Sequence, residues 1–341
     1  MNIMGTKRIT YLDIAKCIAI FLVLWGHAIG QLMNHDVTDN RCYMFIYAFH
    51  MPLFMTMSGF FAKGSMNMNL GGLFKKKFIQ LIIPAFSFGV LWYVHDVIVG
   101  ARAFSVKAFL FLEAECFWFL KCLFFAYLVS FVSIRLSIVC KMRGGKWIIP
   151  FFSCLVFLTC QKYNLTFFKM GSMLPFFYLG MILKAKNDFI AKHKIIIGLF
   201  SLIVFIGLFP YFGAEDLFAN KFFHAFTLSA CMHYAMCIIL GLTGTLITII
   251  ASMLIDQYYT HLKIVKLISK IGKYTLGIYL TQKILLELLL PHFLKVEMNM
   301  YLYNYLFTFF ISIAFLSICY GCTLVLQKNY WTRLLFLGKN D

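Results

Sequence analysis

The sequence predicts an all-α, polytopic membrane protein of about ten transmembrane helices, with both termini cytoplasmic. Three observations carry that expectation. The first is composition: of 341 residues, 62% are hydrophobic and only 13% charged, whereas soluble domains run near 45–50% apolar and about 25% charged. A water-soluble fold of this size has too little interior for so much apolar surface, so lipid must solvate much of it. The second is spacing, because apolar runs recur at the roughly 20-residue length that spans a bilayer core as a helix. The third is charge placement, because the 31 Lys and Arg against 13 Asp and Glu fall in short loops between those runs.

The runs lie at 11–33, 42–62, 78–100, 116–139, 147–162, 168–184, 195–213, 224–254, 268–291 and 300–326. Read as spans, they leave 21 Lys and Arg in loops on one side, from Lys7 and Arg8 to Lys339, and 7 on the other, such as Arg41 and Lys221. That alternating bias is what the positive-inside rule produces. The surplus of +18 therefore reads as topology and not as a nucleic-acid surface. Asp13 and Lys16 in the first run, and the lack of a small-residue cleavage site, mark a retained span and not a removed signal. The whole chain, 1–341, reads as one integral membrane domain. The cysteines lie mostly inside apolar runs and read as small packing residues. No Cys/His cluster at zinc spacing appears, and no metal is expected.

Ionisable groups within a span cost about 2.5–3.5 kcal/mol each on insertion scales, so they mark functional candidates. The first span holds Asp13, Lys16 and His27. Lys16 and His27 lie 11 residues apart, within about 20° of one helical face and roughly 16 Å apart along the axis. Asp13 and Lys16 form an i, i+3 pair. In the second span His50 is expected at a depth similar to His27, and Pro52 beside it interrupts the backbone ladder, as happens where a helix lines a cavity. An imidazole suits proton abstraction from a sugar hydroxyl or transient acyl carriage, with His50 orienting His27 or stabilising an oxyanion. The connection Lys75-Lys76-Lys77 offers cations for phosphates or for lipid headgroups. Lys283 and Glu287, spaced i, i+4, are expected to neutralise each other, while Tyr279 and Gln282 offer hydrogen bonds to a substrate.

These residues resemble a known family. Tyr11-Leu12-Asp13-Ile14-Ala15-Lys16 running to Gly26-His27 is similar to the first helix of the acyltransferase 3 family of membrane acyltransferases. Phe49-His50-Met51-Pro52-Leu53 with Ser58-Gly59 looks like its second-helix signature, Lys75-Lys76-Lys77 its basic loop, and Trp118-Phe119-Leu120 its fourth-helix start. Ile271-Gly272-Lys273-Tyr274-Thr275-Leu276-Gly277-Ile278-Tyr279-Leu280 resembles its late segment. The five matches occur in order over residues 11 to about 282. The resemblance implies acetyl-CoA or another acyl-CoA as donor, a carbohydrate acceptor such as exopolysaccharide or capsule outside the cytoplasm, and a bacterial inner-membrane location. It implies His27 as the essential histidine, Lys16, Lys75 and Lys77 on the donor side, and Asp13, Ser58, Trp118, Tyr279 and Gln282 as substrate or supporting residues. Lysines stand here for the usual arginines, Thr275 for Ser, and Gln282 for a frequent His. Two other classes fit an apolar chain. A transporter or flippase predicts an inverted repeat of broken helices, which the sequence does not display. A membrane scaffold predicts that intramembrane charges are replaceable by Leu.

Overall fold

The computed structural model describes residues 9–33, 37–140, 148–159, 170–213, 227–292, 294, 296 and 298–339. The loop cations Lys7, Arg8, Lys141, Arg143, Lys146, Lys162, Lys169, Lys221 and Lys295 lie outside them, as do parts of the runs expected at 147–162, 168–184 and 224–254. Among the described residues the chain is helical without strands. A lone backbone bridge joins Met33 to Val296.

Each of the ten expected runs carries a helix. Six are long and apolar enough to cross a membrane: Thr10–Leu32, Leu70–Ile98, Trp118–Val139, Lys194–Tyr211, Cys231–Tyr259 and Met300–Leu326. The chain is therefore an all-helical, multi-pass membrane protein. The remaining runs are shorter or more polar. Arg41–Phe60 carries polar side chains along 20 residues, and the run at 268–291 divides into Lys263–Ile271 and a helix beginning at Thr275.

The first helix, Thr10–Leu32, is the centre of the bundle, packed against Arg41–Phe60, Leu228–Tyr259, Lys263–Ile271, Thr275–Gln282 and Thr308–Leu326. In its most apolar stretch 72% of residues are buried, against 11% for the peripheral Lys194–Tyr211. That contrast explains why its ionisable groups survive there: they face protein and not lipid. Glycines allow the tightest crossing. A Cβ at Gly59 would collide with the carbonyl of Phe177, and one at Gly180 with the carbonyl of Thr56. Small residues at a crossing let backbones touch where no hydrophobic effect drives helices together.

Many buried hydroxyls are satisfied locally. Thr243, Thr248, Ser252, Thr308, Ser312 and Thr323 each donate to a carbonyl four residues back, which suits a medium without water. Cys319 and Cys322 have Cys-x-x-Cys spacing within Thr308–Leu326, and both thiols are free. Pro52 sits inside an unbroken helical assignment, Arg41–Phe60.

Three stretches widen from α to π geometry. Phe78–Ile82, Lys283–Leu289 and Tyr303–Phe307 are π-helical, a wider turn often found at functional sites. The first lies within Leu70–Ile98, directly after the three lysines. Lys75-Lys76-Lys77 is thus no loop but the last turn of the helix Leu70–Lys77, which runs on into the span. An αα connection without a loop leaves successive lysines pointing in different directions around the axis.

Candidate active site

His27 is three-quarters of the way along the first helix. Its neighbour Gly26 has no side chain, and a Cβ there would lie 2.9 Å from Tyr47 Cε2. The missing side chain lets the Tyr47 ring approach to 6.5 Å from the His27 ring, nearly edge-on at 76°. Across from it, His27 Nδ1 lies 3.3 Å from Glu287 Oε1. Glu287 is 9% exposed, so a carboxylate this deep requires partners. It has three. Lys283 Nζ donates to Oε2 at 2.5 Å, Gln282 Nε2 donates to Oε1 at 3.1 Å, and His27 completes the set. In turn the Trp92 ring lies 5.5 Å from Lys283 Nζ.

The π-helical turn makes this cluster possible. In an α-helix, Gln282 and Glu287 would stand about 140° apart around the axis. The Lys283–Leu289 π turn, with its i to i+5 bonding, brings both onto the side facing His27. Gln282 is wholly buried, and its Oε1 has no hydrogen-bond partner among the described residues.

The sequence suggested that Lys283 and Glu287 neutralise each other. They do pair, but Glu287 also holds His27, a role the i, i+4 spacing concealed. His50 is at the same level and faces the same aromatic ring, with its own ring 4.7 Å from that of Tyr47. Its Nδ1 is 2.8 Å from the Ile46 carbonyl. Donation to that carbonyl fixes the tautomer and leaves Nε2 as an acceptor. The Tyr47 ring is therefore near both imidazoles.

A cavity of about 150 Å³ adjoins this cluster. Met51, next to His50, lines it, together with Ser58, Leu81, Phe119, Thr275 and Tyr279. Leu81 is one turn beyond Lys77, and Tyr279 is one turn before Lys283. Lys77 is buried, with Nζ 3.8 Å from the centre of the Tyr127 ring and donating to Gln80 Oε1 at 3.2 Å. Tyr127 in turn donates to the carbonyl of Ser58 at 3.2 Å. Trp118 packs edge-on against Phe119, and Phe119 against Tyr279. Phe117, fully buried, begins that helix in the left-handed region at φ 53°. A bulky residue there is strained, and its ring is held edge-on to Tyr279.

The structure thus places Ser58 and Tyr279 in the cavity wall, with Lys77 and Trp118 behind it against Tyr127 and Phe119, and gathers His27, His50 and Gln282 in a polar cluster beside it. It does not bring Lys75 there: that side chain is exposed. Nor does it bring Asp13 and Lys16, whose ion pair, 3.5 Å long, closes near the other end of the first helix with Lys16 Nζ 4.3 Å above the Phe61 ring. Glu287, Lys283, Tyr47, Gln80 and Tyr127 are the neighbours that sequence reasoning passed over or left unassigned. Among the described residues, no group of three or more His, Cys, Asp or Glu side chains gathers at metal-binding distance.

A helical membrane bundle with a buried imidazole–carboxylate pair beside a narrow apolar cavity defines the class. Its family follows from sequence comparison. The profile of the acyltransferase 3 family, described as an acyltransferase domain, matches residues 9–326, and the chain belongs to that family. It is also similar to the nodulation protein NolL of Sinorhizobium fredii, 26% identical over 212 residues, or 56% of this chain and 53% of that one. NolL of Mesorhizobium japonicum is 28% identical over 212 residues, 57% of this chain and 54% of the relative. The matched region spans about half the length of these curated relatives. No solved structure matches.

Proposed function

We propose that this protein is a membrane O-acyltransferase of a bacterial inner membrane. It moves an acyl group, acetyl in the first instance, from a cytoplasmic acyl-CoA to a hydroxyl of an extracytoplasmic carbohydrate. The observation that carries this reading is the His27–Glu287 pair beside the cavity. If His27 Nδ1 donates its proton to Glu287, Nε2 presents its lone pair, the form a general base requires. His27 Nε2 then takes the proton of the acceptor hydroxyl as its oxygen attacks the thioester carbonyl. The C–O bond forms, the C–S bond breaks, and the proton passes from His27 to the departing thiolate. Glu287 steadies the imidazolium that exists between these events, as a buried carboxylate does in triads. Lys283 gives the Glu287 carboxylate the cation partner that a charge buried away from water requires.

The donor side is assigned to the Lys77 end of the cavity, with Lys75 and Lys16 nearer the cytoplasm as further phosphate contacts. The cavity is narrow and apolar, the shape expected for a pantetheine arm. Burial between helices keeps water from the thioester. Tyr47 faces the reacting region and its hydroxyl is the group assigned to the developing oxyanion, while His50, whose Nε2 accepts, is assigned to positioning. The test uses the full chain in proteoliposomes with radiolabelled acetyl-CoA outside and candidate glycans inside. Label appearing on the glycan, and its loss in His27→Ala, support the reading. Glycan that crosses the bilayer unmodified would make the protein a transporter instead. Persistence of transfer in His27→Ala would remove His27 from the mechanism.

A further inference from the structure

The helix Lys263–Ile271 divides into three faces at 100° per residue. Val265 and Ser269 form one face and are buried against the bundle. Lys263, Lys266 and Lys270 form the second, and all three are exposed. The third holds Ile264 and Leu267, which are 58% and 46% exposed. An apolar face turned outward beside a basic face does not suit water, and nine residues are too few to cross a bilayer. Immediately before it, the long helix Leu228–Tyr259 ends with Tyr258 and Tyr259, which are 59% and 53% exposed. Tyrosines in such a position mark the headgroup level of a membrane. Immediately after it comes Lys273, also exposed, so four cations fall within eleven residues.

We infer that Lys263–Ile271 lies in the plane of the membrane surface and binds anionic phospholipid headgroups, with Ile264 and Leu267 inserted among the acyl chains. Interfacial helices have this division of faces, and clusters of four or more cations beside a span select acidic lipids. The site is not isolated from the rest of the fold. Gly272, at the end of this helix, sits so close to the Asp13 carbonyl that a Cβ there would collide with it. Bound lipid therefore rests on a lever seated on the first helix, next to the Asp13–Lys16 pair.

The experiment is native mass spectrometry of the full detergent-purified chain, titrated with phosphatidylglycerol and with phosphatidylcholine of the same acyl chains. Wild type is expected to retain phosphatidylglycerol at a several-fold lower concentration than phosphatidylcholine. In K263Q/K266Q/K270Q that preference should fall at least threefold. In K186Q/K192Q/K328Q, which removes three exposed cations elsewhere, it should persist. Equal losses in both triple variants, or none in the first, would overturn the proposal. Ile264→Ser with Leu267→Ser should weaken retention of both lipids together; unchanged retention would place that face in water and likewise overturn it.

Discussion

The two ends of the first helix hold the same ingredients in opposite arrangements. Near its start, Asp13 and Lys16 pair within one turn at 3.5 Å, and Lys16 remains 24% exposed at its side chain. Near its end, His27 takes a carboxylate from 260 residues away, and that carboxylate is held by two further side chains. The first pair closes within one turn of sequence, so what its members offer a reacting molecule is chiefly charge. The second is open, because Gln282 Oε1, buried beside it, has no hydrogen-bond partner among the described residues. A short local pair stabilises a helix end; a long-range one preorganises a site.

Breaking the open arrangement should have the largest effects. His27→Ala is expected to lower acyl transfer by about 10²–10⁴-fold, the usual worth of a general base, read by mass spectrometry of the acceptor. Glu287→Gln keeps the shape and removes the charge, so kcat should fall roughly 10²-fold with little change in KM for the donor. A larger change in KM than in kcat would make Glu287 a binding residue instead. Lys283→Met leaves a buried carboxylate without its cation, a loss of about 3–5 kcal/mol. Lys283→Met combined with Glu287→Gln should recover most of that stability without recovering activity, as read by thermal unfolding in detergent beside turnover. Toward the donor end, Lys77→Met should raise KM for acyl-CoA several-fold more than Lys75→Met, because of the two only Lys77 is buried, over the Tyr127 ring that bonds the cavity-lining Ser58. Equal effects would move phosphate binding to the surface. The closed pair should matter least to stability. A double-mutant cycle on Asp13 and Lys16 is expected to give a coupling of about 1 kcal/mol or less.

The positions of the helices were legible in the sequence because lipid imposes a length and a hydropathy that hardly depend on neighbours. His27 was legible for a related reason, since an ionisable ring inside a span demands an explanation. Its partner was not. Glu287 stands four residues from Lys283, a spacing that looks self-sufficient on an α-helix, and nothing in the chain announces which distant helix will meet the first. The lysine stretch was read as a loop because three consecutive cations look like a connection. The structure continues them into a 29-residue helix, where burial under Tyr127 separates Lys77 from its exposed neighbours. What the sequence lacked in each case was phase: which way a side chain turns once its helix is packed.

Phase is also what the π-helical stretch at Lys283–Leu289 alters. A turn that closes on the fifth residue instead of the fourth accommodates one amino acid more than its neighbours, and everything downstream is rotated by one position. A relative lacking that extra residue would align with this chain under a single gap and still appear to keep every apolar position. Returned to α geometry, it would still turn the carboxylate toward the imidazole, because a glutamate four residues after the glutamine shares its side of the helix. One codon gained or lost within this stretch is therefore absorbed by a change between π and α turns, which keeps the His27 ring facing its acid without altering the length of any membrane crossing in a way hydropathy would register.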